Sequence, residues 1–321
     1  MDLALITIIL PVRNGGDYLF MAVESVLDQT DADWRLIILE NQSDDGTPAY
    51  LASLTDPRIS VFSAEQSLSI EDNWGRIKDL PVCGWATFLG HDDLLAPDFV
   101  AGAKRDIRQN PDASLWMSHF ELIDGSGTLI RKCRPMPLRE SGTDFLRERW
   151  RHRRDSYGTG YVFRFADYVA CGGIPDFPGL LYADDYVWYA LASRSGCYCS
   201  PRTGFSYRAH AQSAARQSHP QLALDGACHF LGRLTQDAAA DLPLAQFLSH
   251  MGRRFAEHIE LCYWKGVAQS ARSAPADVAL PSRWLEQRNC WPVRCNALKF
   301  LLLRHWWTCH VFLQKLASAG P

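Results

Sequence analysis

Along the first hundred residues, short blocks that are apolar at nearly every position alternate with stretches where apolar residues recur every three or four positions. Ile6-Thr7-Ile8-Ile9-Leu10 is the first block, rich in β-branched residues and closed by Pro11. Unbroken apolarity predicts a strand buried on both faces. Asn14-Gly15-Gly16 supplies a turn, and Leu19, Ala22, Val23, Val26 and Leu27 then fall on one helical stripe. Arg35–Leu39, Ile59–Phe62 and Trp85–Leu89 predict three more strands, the last ending abruptly at Gly90-His91-Asp92-Asp93. Strands separated by helical segments imply right-handed crossovers and a mostly parallel sheet flanked by helices, an α/β fold. In such sheets ligands bind beyond the carboxyl ends of the strands, where the polar turns after strands one, two and four would gather.

Further along, Pro97–Gln109 and Tyr186–Ala192 predict helices and Ser114–His119 a strand. After about residue 216 the chain becomes helical in character, rich in Ala, Leu, Trp and His. This predicts a catalytic domain over 1–215 and a helical C-terminal region over 216–321.

Composition narrows the class. A net charge of -3 provides no global basic field for nucleic acid. The N-terminus has no positive flank before a long apolar run, so a cytoplasmic protein with reduced thiols is expected despite its 10 cysteines. No stretch reaches the roughly 18 apolar residues of a membrane span; Phe300–Leu303 is cut by Arg304 and His305.

The most informative segment is Phe88-Leu89-Gly90-His91-Asp92-Asp93. Adjacent carboxylates directly after a buried strand need a compensating charge, which a hard divalent cation supplies. A helix N-terminus is the competing reading. Three further segments frame the acidic turn: Ile9–Gly15, Ser25–Thr30 and Asn41-Gln42-Ser43-Asp44-Asp45-Gly46-Thr47. In this order, over roughly residues 5–215, they resemble glycosyltransferase family 2 of the GT-A fold, as found in bacterial surface-polysaccharide synthesis.

The resemblance implies the following roles. Pro11, Val12 and Asn14 line the nucleotide pocket, and Glu40 and Asn41 stand near the base. Asp92 and Asp93 handle Mn²⁺ or Mg²⁺ and the ribose or diphosphate. Asp184-Asp185 matches the acidic pair that supplies the catalytic base, with Asp185 favoured. Arg208 and His210 belong to an Arg-x-His segment near the diphosphate, and His210 is a candidate metal ligand. Asn73 and Arg76, in Glu71-Asp72-Asn73-Trp74-Gly75-Arg76, resemble a family variant that contacts base, ribose or diphosphate. Each has a bland alternative in packing or a solvated helix face.

Two departures stand out. Gly90 occupies the place of the first aspartate of the usual DxD motif, leaving His91 between it and Asp92. Asn41 replaces an aspartate common in its turn, so the base of the donor is left open. The motif of processive synthases is absent, which favours addition of one sugar.

The implied partners are a nucleotide-diphosphate sugar and a glycan or lipid-linked acceptor, with no nucleic acid. Arg147, Arg149, Arg151, Arg153 and Arg154 form a basic cluster that reads as an anion-binding patch or as a solvated helix face. Leu298, Leu301, Leu302, Cys309, Phe312 and Leu316, with Trp306-Trp307 and basic neighbours, form an amphipathic helix that packs on the protein or lies on the inner membrane leaflet. Cys290, Cys295, His305, Cys309 and His310 invite a zinc reading, but their spacing fits no standard finger. A nucleotidyltransferase would need a longer glycine-rich loop than Arg13-Asn14-Gly15-Gly16. A catalytically silent sugar-nucleotide or glycan-binding protein remains the rival reading.

Overall fold

The seven residues of β1, Ile6–Val12, are all buried, as their unbroken apolarity requires. The computed structural model describes residues 5–210 and 219–270, with side chains up to residue 263. The amphipathic C-terminal segment and its cysteines and histidines lie outside the described residues.

Helix α1 (Gly16–Leu27) follows β1 and buries Leu19, Ala22, Val23 and Val26, the stripe read from spacing. Then come β2 (Trp34–Glu40), α2 (Thr47–Ser53), β3 (Ile59–Ser63), α3 (Ile70–Gly75) and β4 (Trp85–Phe88). The pairs β1–β2, β2–β3 and β1–β4 are parallel, so this half follows the expected crossovers. The next elements are β5 (Leu94–Leu95), α4 (Phe99–Gln109), β6 (Leu115–Ile123), β7 (Leu129–Lys132) and β8 (Arg139–Glu140). They are followed by α5 (Gly142–Trp150), β9 (Tyr161–Arg164), α6 (Phe165–Ala170), α7 (Ala183–Ser195) and β10 (Cys197–Arg208).

The described strands form one sheet in the order β3-β2-β1-β4-β9-β6-β10-β5, with β7 on β6 and β8 on β10. The second half is mixed. β9 pairs antiparallel to both β4 and β6, while β6 and β10 are parallel. The strands β5, β7 and β8 are too short for periodicity to announce them. β10 is long but bulged, with register shifts between Ser200 and Phe205 that break its alternation.

The chain divides into two compact units at Ser218/His219. In the second, α8 (Pro220–Asp237) and α9 (Leu242–Ser270) pack as a helical pair with Phe230 edge-on to Phe255. No described helix is long and apolar enough to cross a membrane.

Candidate active site

The turns after β1 and β2 are laced together at the carboxyl edge of the sheet. The N–H groups of Asn14 and Gly15 donate to Ser43 Oγ and Thr47 Oγ1, both at 2.9 Å. Asn14 Oδ1 accepts from Asp44 N at 3.0 Å, with Asn14 itself in the left-handed region at φ 53°. Glu40 accepts from Ser43 N at 2.6 Å and is buried. Pro11 and Val12 are buried at the end of β1 and form the floor of this edge.

Three residues expected to meet the nucleotide are instead engaged with the protein. Asn41 is 3% exposed; its Oδ1 accepts from Leu68 N at 2.8 Å and its Nδ2 donates to Leu68 O at 3.0 Å. Both ends of the amide therefore fasten the segment after β3. Arg76 donates to Asn73 Oδ1 at 2.9 Å and to the carbonyls of Phe62 and Glu40 at 2.6 and 3.3 Å, tying α3 to the ends of β2 and β3. Asn73 is buried beneath it.

The acidic turn splits its two aspartates. Asp93 faces inward, 3% exposed, and accepts from Thr159 Oγ1 and from Arg208 N at 2.9 Å. Burial, and then the charge of Asp92, push its carboxyl well above the usual carboxylate range. It serves as a strut of the turn. Arg208, expected beside a diphosphate, is 1% exposed. Its Nε donates to Asp92 O at 2.8 Å, and its guanidinium carbon lies 4.6 Å from the Tyr18 ring centroid.

Asp92 points the other way. Its Oδ2 lies 2.8 Å from Nε2 of His210, just past β10. A carboxylate oxygen and an imidazole nitrogen, both in part accessible, make a donor set that suits Mn²⁺ and also accommodates Mg²⁺. His91 is half-buried beside them; burial lowers its pKa, which keeps the imidazole neutral. At Gly90 a Cβ would approach Asp93 Oδ2 at 2.8 Å and Asp92 Oδ1 at 2.9 Å. The two carboxylates lean over the backbone where the family's first aspartate would stand.

The second acidic pair opens α7, behind Tyr182 in the left-handed region at φ 66°. Asp185 is 5% exposed and receives a two-pronged ion pair from Arg149, whose Nε and Nη2 each lie 2.8 Å from a carboxylate oxygen. Burial works against the Arg149 charge, but Asp185 more than offsets it. Asp184 is half-buried, and burial followed by the charge of Asp185 pushes its carboxyl up to about 7. Tyr157 and Tyr207 stack on each other at 3.5 Å and 9°. Burial, then the charges of Asp93, Tyr157, Asp92 and Asp184, raise the Tyr207 hydroxyl.

Thr159 has no signal in the sequence, and Arg149 stands there only as one member of a basic cluster, anion-binding or solvated; in the fold Arg149 and Arg154 turn inward. Arg154 is 2% exposed and holds Glu140 at 2.9 Å, while Arg147 and Arg151 pair near the surface with Asp144 and Glu148. The spacing of Arg149 from the apolar Phe145 and Leu146 was the available signal, since it falls near their helical face.

A parallel half-sheet continued by a mixed half, with helices on its faces, is the GT-A fold. The chain belongs to Glycosyl transferase family 2, whose sequence model matches residues 7–168, about half of it. An uncharacterized glycosyltransferase of Rickettsia felis is 28% identical over 135 residues, covering 41% of this chain and 22% of its own. The UDP-Glc:alpha-D-GlcNAc-diphosphoundecaprenol beta-1,3-glucosyltransferase WfgD of Escherichia coli is 34% identical over 65 residues, 20% of this chain and 26% of its own. The matched part thus spans only about a quarter of these relatives. Among solved structures, S. aureus TarS 1-349 in complex with UDP-GlcNAc superposes with a TM-score of 0.62 at 13% identity, covering 88% of this chain and 79% of that one. The mannosyltransferase PcManGT from Pyrobaculum calidifontis, in complex with GDP-Man and Mn2+, gives 0.54 at 12% identity over 98% and 88%.

Proposed function

We propose that the protein transfers one sugar from a nucleotide-diphosphate donor to a hydroxyl of a surface-glycan acceptor, free or lipid-linked, with inversion at the anomeric carbon. The observation that carries this is the acidic turn after β4, whose Asp92 meets His210 from the end of β10 at 2.8 Å. The neighbours in complex with UDP-GlcNAc and with GDP-Man and Mn2+ support a donor of this class.

Asp92 and His210 would hold a divalent cation, which neutralises the charge that grows on the leaving diphosphate. Asp93, Thr159 and Arg208 keep the turn in the shape that points Asp92 outward. The laced turns after β1 and β2 offer backbone edges and the half-buried His91 to the nucleotide.

The division of labour in the second pair favours Asp184 over Asp185 as the base. Both Asp185 oxygens are occupied by the Arg149 guanidinium, which leaves Asp184 the freer carboxylate of the pair. A neighbour whose affinity for a proton lies near neutrality is matched to general-base work. In this reading Asp184 takes the acceptor hydroxyl's proton as the oxygen attacks, and Asp185, fixed by Arg149, positions the helix start and raises the basicity of Asp184.

The test is turnover by the purified chain with Mn²⁺, against a panel of UDP- and GDP-sugars and lipid-linked or free acceptors. Transfer that disappears in Asp184→Asn supports the proposal. Donor binding without any transfer would leave the silent binder as the better reading.

A further inference from the structure

Away from the acidic edge, three ligand-type side chains meet in the buried interior. β8 runs antiparallel to β10 with Glu140 directly opposite Cys197. Residues two apart on a strand share a face, so Cys199 points the same way as Cys197. Their sulfurs lie 3.8 Å apart, and Cys199 Sγ lies 3.5 Å from Glu140 Oε1. Ligand atoms of all three residues fall within 4.8 Å of one another, and all three residues are buried.

The Cys197–Cys199 and Cys199–Glu140 separations are those of two edges of a tetrahedral zinc site. With Zn–S of about 2.3 Å and Zn–O of about 2.0 Å, a tetrahedron has edges of about 3.8 Å between sulfurs and about 3.5 Å between sulfur and oxygen. A second, independent observation concerns Glu140. Its Oε1 takes both Arg154 contacts, at 3.2 and 2.9 Å, while its Oε2 is buried with no hydrogen-bond partner among the described residues. A buried carboxylate with one oxygen unpartnered is costly, and a cation held on this carboxylate offsets that cost.

We propose that Cys197, Cys199 and Glu140 bind a structural zinc ion, with a water at the fourth corner. Binding releases the two thiol protons to solvent and leaves two thiolates. Two thiolates and one carboxylate against a dication and the Arg154 guanidinium sum to no net charge, which is what a buried site requires. Arg154 then orients the carboxylate from the second shell of groups around the ion.

The position gives the ion work to do. Glu140 immediately precedes α5, whose Ser141 caps it and whose Arg149 holds Asp185. Arg149 also donates to Arg154 O at 3.0 Å. Fixing Glu140 onto β10 therefore fixes the arm that grips the second acidic pair.

The full chain would be prepared in zinc-containing medium, desalted, and assayed for metal by mass spectrometry, then exchanged with Co²⁺. One zinc per chain and an intense sulfur-to-cobalt charge-transfer band are expected. Both should vanish in the Cys197→Ser/Cys199→Ser variant and persist in Asp92→Ala, because the edge site contains no sulfur. If the double variant does not fold, the single Cys199→Ser variant decides: its cobalt band should weaken and shift, and an unchanged band overturns the proposal. Zinc-free protein with no such band after exposure to either metal overturns the proposal. So does loss of two thiols to a disulfide when thiols are counted in denaturant.

Discussion

Nε2 of His210 lies 2.8 Å from Oδ2 of Asp92, joining residues 118 positions apart in the chain. The contact closes the acidic turn after β4 against the end of β10, and it places an imidazole and a carboxylate at one point of the cleft. If that pair holds the cation, His210→Ala and Asp92→Asn should each lower kcat on the order of 10²–10³-fold. The Mn²⁺ concentration needed for half activity should rise in both. A metal titration of initial rates checks this, with circular dichroism confirming the fold.

Asp184 dictates the pH dependence. Its carboxyl is pushed up to about 7, so it becomes a base only as pH rises through that value. The acidic limb of the kcat profile should have its midpoint near there and disappear in Asp184→Asn, with a loss of about 10²–10⁴-fold. The linked stability runs in the opposite sense. A raised folded-state pKa favours the native state below the ordinary carboxylate value of 3.8, and that contribution fades as pH climbs through about 7. Urea midpoints between pH 4 and 8 should therefore fall less steeply in Asp184→Asn than in the wild type.

Gly90 should not tolerate a side chain. A Cβ there would meet two carboxylate oxygens at 2.8 and 2.9 Å, so Gly90→Ala must displace Asp92 or Asp93. Activity should drop at least tenfold, with KM for the metal raised more than KM for the acceptor. Steady-state kinetics in both substrates and Mn²⁺ would show it; an unaffected Gly90→Asp would count against the geometry.

Asn41→Asp provides a contrast, because it too restores a residue common in the family. A carboxylate cannot donate to Leu68 O, and the two oxygens would repel inside a buried pocket. Thermal or urea unfolding should show a loss of about 1–3 kcal/mol. Donor KM should change little, since the side chain faces the protein.

The local chemistry of the chain was sufficient for its first half. Blocks such as Ile6–Leu10 have nowhere to go but a doubly covered strand, and the stripe from Leu19 to Val26 has only one face to bury. Their alternation determined a parallel sheet, and the polar turns had to fall at its carboxyl edge. Asp92 and Asp93 stood out by residue type and by their place after a strand, whereas Asp184, Asp185 and His210 became candidates through the family resemblance.

What each of these side chains does was decided only by contacts between distant segments. Nothing near Asp93 in sequence announces Thr159, and nothing near Asp185 announces Arg149. Yet those partners turn one acid into a strut and clamp another. The insertion of β9 between β4 and β6 was equally invisible, because strand order depends on which edges meet after the chain has collapsed. Periodicity records which way a side chain faces; charge state and partner belong to the three-dimensional neighbourhood, where burial and pairing compete over a few ångströms.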